Sequence, residues 1–243
     1  DDLAGVCESM RQHEIESAWS GAPECRNCGI RHLVLFADLD HDDFQFIHEP
    51  ISKKHVEPGE YLYRAGDPVS SVFTLRDGQE KLLQLAPGGG QRIVRILHRG
   101  DLAGIERIVG QKANHDAIAL TPAAVCEIPV AVIDRLSKET PRLHKQLMKR
   151  WGDALNVADA WLTDLSTGPA RSRVARLVIW LSEHSLEESF YLPTREDIGA
   201  MLGITTETAS RMTAEFRREG LLNTIDTHRA TANVAALKPI ARS

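Results

Sequence analysis

The chain has 243 residues, 42% of them hydrophobic and 26% charged, with 17 glycines, 11 prolines and 4 cysteines. That is a globular composition, which excludes a disordered or fibrous chain, and no apolar run approaches the ~20 residues that cross a bilayer. The net charge of −5, from 29 Lys and Arg against 34 Asp and Glu, excludes a protein that coats nucleic acid by bulk charge. From Thr167 onward, however, 10 basic and 9 acidic residues give +1, leaving −6 before it, and nine of those ten basic residues are arginines. Any nucleic-acid contact is therefore local and belongs to the last third.

Residues 1–30 carry Cys7, Cys25 and Cys28 and read as an irregular, cysteine-bearing arm without a basic or apolar leader pattern, consistent with a soluble, cytoplasmic protein. A region 31–137 follows, in which short β-type runs alternate with turns. The runs are Glu60–Arg64, Ser71–Arg76, Lys81–Leu85, Gln91–Leu97, Ala117–Leu120 and Ala124–Ile128, separated by Pro58-Gly59, Ala65-Gly66-Asp67, Asp77-Gly78, Pro87–Gly90 and Arg99-Gly100-Asp101. This even spacing predicts a small antiparallel sandwich or barrel.

The period then changes. Across 138–166, Met148, Trp151, Leu155, Ala158, Leu162 and Leu165 step alternately by three and four, an a/d seam that predicts a helix paired with a second copy of itself. A helix burying one stripe on its own domain would give a similar pattern. Gly168-Pro169 ends it and opens a region 167–243. There, Ala170–His184 is helical and Ser189–Leu192 is strand-like. Thr194 is placed to cap a further helix, with Asp197 at its third position, and Gly203 ends that helix. A second helix begins near Thr205. Ile204, Ala209, Met212 and Phe216 hold it on the first, while Thr206, Glu207, Ser210 and Arg211 lie on its other side. This is the length and spacing of a helix-turn-helix, whose second helix enters the major groove. Arg211 suits O6 and N7 of guanine, Glu207 a cytosine amine, and Ser210 or Thr206 a thymine edge or phosphate. Arg217 suits a phosphate, and Asn223–Val234 reads as a β-wing.

These features together resemble the Crp/Fnr superfamily of bacterial transcription regulators over nearly the whole chain. Pro58-Gly59-Glu60, Ala65-Gly66-Asp67, Gly100-Asp101-Leu102 and Cys126-Glu127-Ile128-Pro129 carry the likeness in the first half, and Glu207-Thr208-Ala209-Ser210-Arg211 looks like the Glu-x-x-Ser-Arg recognition pattern of the Fnr branch. The resemblance implies an α+β chain: an antiparallel β-roll sensor domain of the cupin or cyclic-nucleotide-binding type, a long dimerisation helix, and a winged helix-turn-helix. It implies a homodimeric, non-enzymatic regulator on TTGAT-like inverted repeats, with Glu207, Ser210 and Arg211 setting specificity. It also implies contact with RNA polymerase, for which the Pro87–Gly90 hairpin is the candidate.

The stretch Gly104-Ile105-Glu106 to Asn114-His115-Asp116 has an acid where the cyclic phosphate would need arginine, so no cyclic nucleotide is expected. The cysteines offer another sensor. In Fnr-type oxygen sensors a Cys-x-x-Cys, a third arm cysteine and a distant cysteine before Glu-Ile-Pro hold an oxygen-labile [4Fe-4S] cluster whose loss weakens DNA binding. Cys25, Cys28 and Cys126 match; Val34 stands at the third arm position, and Cys7 is left to complete the set. A thiol/disulfide switch, a zinc site of four cysteines, haem ligated by residues such as His32, His41, His48 or His55, and simple packing of Cys126 remain open. A thiol oxidoreductase using Cys25 and Cys28 would need a βαβ setting, which the surrounding residues do not provide.

Overall fold

The structure is a computed structural model that describes residues 35–242 except 41, 48, 69 and 186. The arm of 1–30, with Cys7, Cys25 and Cys28, lies outside the described residues, as do Val34, His32, His41 and His48. The chain forms two compact units, one of residues up to Gln84 with Ile96–Leu155, the other of Leu85–Arg95 with Asn156 onward.

The six predicted runs become β2 (Tyr61–Tyr63), β3 (Ser71–Asp77), β4 (Glu80–Leu85), β5 (Gln91–Leu97), β7 (Asp116–Ala119) and β8 (Ala123–Pro129), to which the structure adds β1 (Ser52–Val56) and β6 (Leu102–Ala103). They form two four-stranded sheets, ordered β1-β8-β3-β6 and β2-β7-β4-β5. β1 was not anticipated, because Ser-Lys-Lys-His has no apolar alternation and four of its five residues are exposed. The β3–β4 turn depends on Gly78 at φ 83°, where a Cβ would run into the Pro122 carbonyl and Ala123.

Helix α1 (Val130–Glu139) buries Val132, Ile133 and Leu136. It stops at Thr140, whose extended backbone is what a following proline requires, and Pro141 then starts α2 (Pro141–Ala160) at the position where its missing N–H costs nothing. The early part of α2 buries Leu143, Gln146 and Leu147. These leucines share one apolar cluster with Leu35, Phe36, Leu39, Phe44, Ile47, Cys126 and the α1 residues. Trp151 is half-buried against that cluster.

The long helix is not α-helical to its end. Trp161–Leu165 is a π turn, and the Thr163 hydroxyl donates to the Asp159 and Ala160 carbonyls at 3.0 and 3.1 Å. The wider turn changes the phase of the side chains, so that Trp161 and Leu165 are 6% and 3% exposed. Leu165 is thus buried within its own chain, while Trp161 meets the Trp180 ring edge-on at 5.5 Å.

The second unit continues with α3 (Ala170–Glu183), β9 (Phe190–Tyr191), α4 (Arg195–Leu202), α5 (Thr206–Arg218), β10 (Leu222–Thr224), β11 (Arg229–Ala232) and α6 (Val234–Arg242). A three-stranded sheet runs β10-β11-β9. α6, which packs on α3, was not foreseen.

Candidate nucleic-acid interface and sensor site

The helix-turn-helix is built from local rules. The Asp197 amide donates to the Thr194 hydroxyl at 3.1 Å and starts α4; Gly203 ends it in the left-handed region at φ 63°. The turn then folds back so tightly that a Cβ on Gly199 would lie 2.8 Å from the Ile204 carbonyl oxygen. Thr205 caps α5, accepting from the Thr208 amide at 3.2 Å. Ala209, Thr213 and Phe216 face inward and are at most 1% exposed, with Ile204 and Met212 half-buried beside them. Thr213 is tolerated there because its hydroxyl donates to the Ala209 carbonyl at 2.7 Å.

The opposite stripe is polar and open. Thr206, Glu207, Ser210, Arg211 and Arg217 are all exposed. Thr206 with Ser210, and Glu207 with Arg211, are one helical turn apart and so form adjacent pairs. The Glu207 carboxyl is held below the usual range by its own backbone amide and by the Thr205 side chain, so it is an anion near the start of the helix. Burial, then the nearby Arg217, lowers the pKa of the half-buried Arg195. These two guanidiniums are close enough to repel each other.

Sequence reasoning missed the residues that hold this stripe. Arg171 on α3 pairs with Glu215 and, at 2.6 Å, with Glu219, while lying 5.1 Å from the Phe216 ring centre. Arg173 donates to the Leu202 carbonyl at 2.7 Å and so fixes the end of α4. Their signal was the density of arginine in the first turns of α3. In the wing, Asp226 accepts from the amides of His228 and Arg229 at 2.8 Å.

In the first unit, Cys126 lies on the central strand β8, opposite Lys53 of β1 and Thr74 of β3. It is 8% exposed, and Arg76 Nη1 donates to its Sγ at 3.6 Å. The Thr74 hydroxyl beside it is buried without a hydrogen-bond partner among the described residues. In the Gly104–Asp116 segment, Glu106 accepts from the Asn114 amide at 3.1 Å and Asp116 from the Ala65 amide at 2.7 Å. Its buried arginine, Arg107, lies 4.2 Å over the Tyr63 ring and donates to the Ser71 carbonyl at 3.2 Å.

Along the expected seam, Met148, Leu155 and Leu162, each seven residues from the next, are 53%, 60% and 67% exposed. Ala158 is exposed between them.

Residues 53–140 match the cyclic nucleotide-binding domain, and residues 172–240 the Crp-like helix-turn-helix domain. The anaerobic regulatory protein of Aggregatibacter actinomycetemcomitans is 30% identical over 223 residues, covering 89% of this chain and 87% of that protein. The electron transport regulator A of Shewanella oneidensis is 31% identical over 214 residues, covering 85% and 86%. The chain belongs to the Crp/Fnr family. As expected of a Crp/Fnr protein, its fold is that of FixK2 from Bradyrhizobium japonicum, with a TM-score of 0.70 at 21% identity over 78% of this chain and 96% of that one. A CRP-family regulator from Thermus thermophilus gives 0.68 at 23% identity, over 78% and 97%. The Crp-like helix-turn-helix makes this family member a DNA-binding transcription regulator.

Proposed function

We propose that this Crp/Fnr regulator acts in the cytoplasm as a homodimer on TTGAT-like inverted repeats, and that it senses oxygen or redox state through an iron–sulfur cluster held by Cys7, Cys25, Cys28 and Cys126. The polar stripe of α5 supports the DNA reading: Glu207, Ser210 and Arg211 read bases, while Thr206 and Arg217 meet the edge or backbone. The exposed Met148, Leu155, Ala158 and Leu162 support a two-chain seam, which would set two recognition helices about 34 Å apart. Trp151, half-buried, and Leu165, buried within its own chain, are the other two positions of the same pattern. No helix among the described residues is long and apolar enough to cross a membrane.

The observation that carries the sensing reading is the setting of Cys126. Its thiol accepts from a guanidinium and has Lys53 in register beside it, cationic surroundings that fit a thiolate ligand of a negatively charged cluster. It also shares an apolar cluster with Leu35 and Phe36. Leu35 follows Cys28 by seven residues in the sequence. Bound there, the cluster would supply oxygen-labile iron–thiolate chemistry. Relatives named as anaerobic regulatory proteins support the same reading. Leu85, beside the Pro87–Gly90 hairpin, is 69% exposed and supports that hairpin as the RNA polymerase contact.

Anaerobic purification with an absorbance spectrum, followed by iron and sulfide analysis before and after air, tests the proposal. About four irons and four sulfides per chain, bleached by air and absent from a Cys126→Ser variant, are expected. A colourless, iron-free protein overturns the cluster and moves sensing to the thiols, for which the Arg76 contact is equally suited.

A further inference from the structure

We propose that Arg142 and Gln146 are positioning residues, fastening the segment that leaves the cysteine arm to α2 so that the helix follows any displacement of that segment. Three carboxylates of 38–43 converge on these two side chains. Arg142 donates to Asp43 through Nε at 3.3 Å and through Nη2 at 3.1 and 2.9 Å, and pairs with Asp40 at 2.8 Å. Gln146, one turn on, donates to Asp38. Asp43 is only 6% exposed and also accepts from the Asp40 amide at 2.7 Å.

The arrangement is one-sided. Asp40 and Asp43 lie side by side and share a single guanidinium, so without Arg142 their charges would repel and the segment would lose its register on the helix. Beneath this polar fork, Leu143 and Leu147 of α2 meet Leu35, Phe36, Leu39 and Phe44 in the cluster that contains Cys126. The Arg142 side chain is 49% exposed, a setting in which ion pairs add little to stability. Its distinctive contribution is geometric: it joins residues about a hundred apart in sequence, just before the exposed Met148 and Leu155.

The trigger rests on the sensing reading above; the coupling does not. Hydrogen exchange of the full-length protein, with iron measured in each sample, separates the two. In air-prepared protein, Asp43→Asn and Arg142→Met should each speed exchange in peptides covering 148–158 about threefold or more, and the combined variant should do no more than either, as contacting residues behave. Arg142→Lys should restore part of the protection. Unchanged exchange at 148–158, or effects that simply add, overturns the coupling whatever the iron content. In iron-loaded protein, air should speed exchange in 35–47 and 148–158 together, and in Arg142→Met with Gln146→Leu only in 35–47. A helix that still responds in that variant overturns the coupling. Absence of iron overturns only the cluster, and the air-prepared variants still decide the coupling.

Discussion

Glu80 begins β4 with its side chain wholly buried, and neither carboxylate oxygen has a hydrogen-bond partner among the described residues. Burial raises its pKa to about 7 against a partial pull from Lys54. The unfolded chain ionises this group near 4.5, so the folded state keeps the proton longer, and stability falls as pH rises from about 4.5 to about 7 and is level above. The drop should be about 3 kcal/mol. Urea unfolding at pH 5 and pH 8 should show it in the native sequence and not in Glu80→Gln, which should be the more stable protein at pH 8. At Gly199 two effects compete. Alanine within a helix gains about 0.5–1 kcal/mol over glycine, but its Cβ would press on the Ile204 carbonyl, and overpacking against backbone costs about 1–3 kcal/mol. The clash should win, so that Gly199→Ala melts at lower temperature. Neither residue stands out in the sequence. Burial of Glu80 depends on strands far away in the chain, and Gly199 looks like any helical glycine until the turn folds over it.

At the scale of elements, legibility followed local chemistry. Six strands, both helices of the DNA-reading motif and the Thr194 cap could be read because alternation, caps and glycine turns are short-range signals. β1 and α6 could not. The first is polar on nearly every residue, and the second carries Pro239 within its helix. The outer stripe of α5 was equally plain, while Arg171 and Arg173, which hold that stripe in place, become visible only once α3 lies beside it. The two arginines on the stripe should behave differently on DNA. Arg211→Ala should cost about 1–3 kcal/mol on the cognate site and relax preference at one base pair; Arg217→Ala should weaken all sequences alike and lower the salt slope by about one. Titrations of cognate and scrambled duplexes at several salt concentrations check both. If Arg211→Ala lowered affinity equally on all sequences, a base-reading role would be wrong.

For the whole molecule, the two compact units divide inside α2, between Leu155 and Asn156. One heptad pattern runs through exposed and buried residues alike, a difference that spacing alone does not carry. Exposure separates them. Leu155→Glu should convert a sedimenting dimer to a monomer while leaving the fold intact, since that side chain is 60% exposed. Leu165→Ala should lower stability by about 2–5 kcal/mol, as a buried leucine does, with association unchanged. Analytical ultracentrifugation beside thermal melts distinguishes these outcomes. A dimer that survives Leu155→Glu would move the partner surface elsewhere.

The π turn at Trp161–Leu165 has a further consequence for how this chain can vary in length. Closing its hydrogen bonds over five residues instead of four takes up one extra residue without lengthening the helix by a regular step. An insertion or deletion elsewhere in the helix rotates everything after it; here a single-residue deletion could be absorbed by reverting to an ordinary turn. Natural relatives and engineered variants that differ by one residue in this region should place the difference between Ala160 and Ser166.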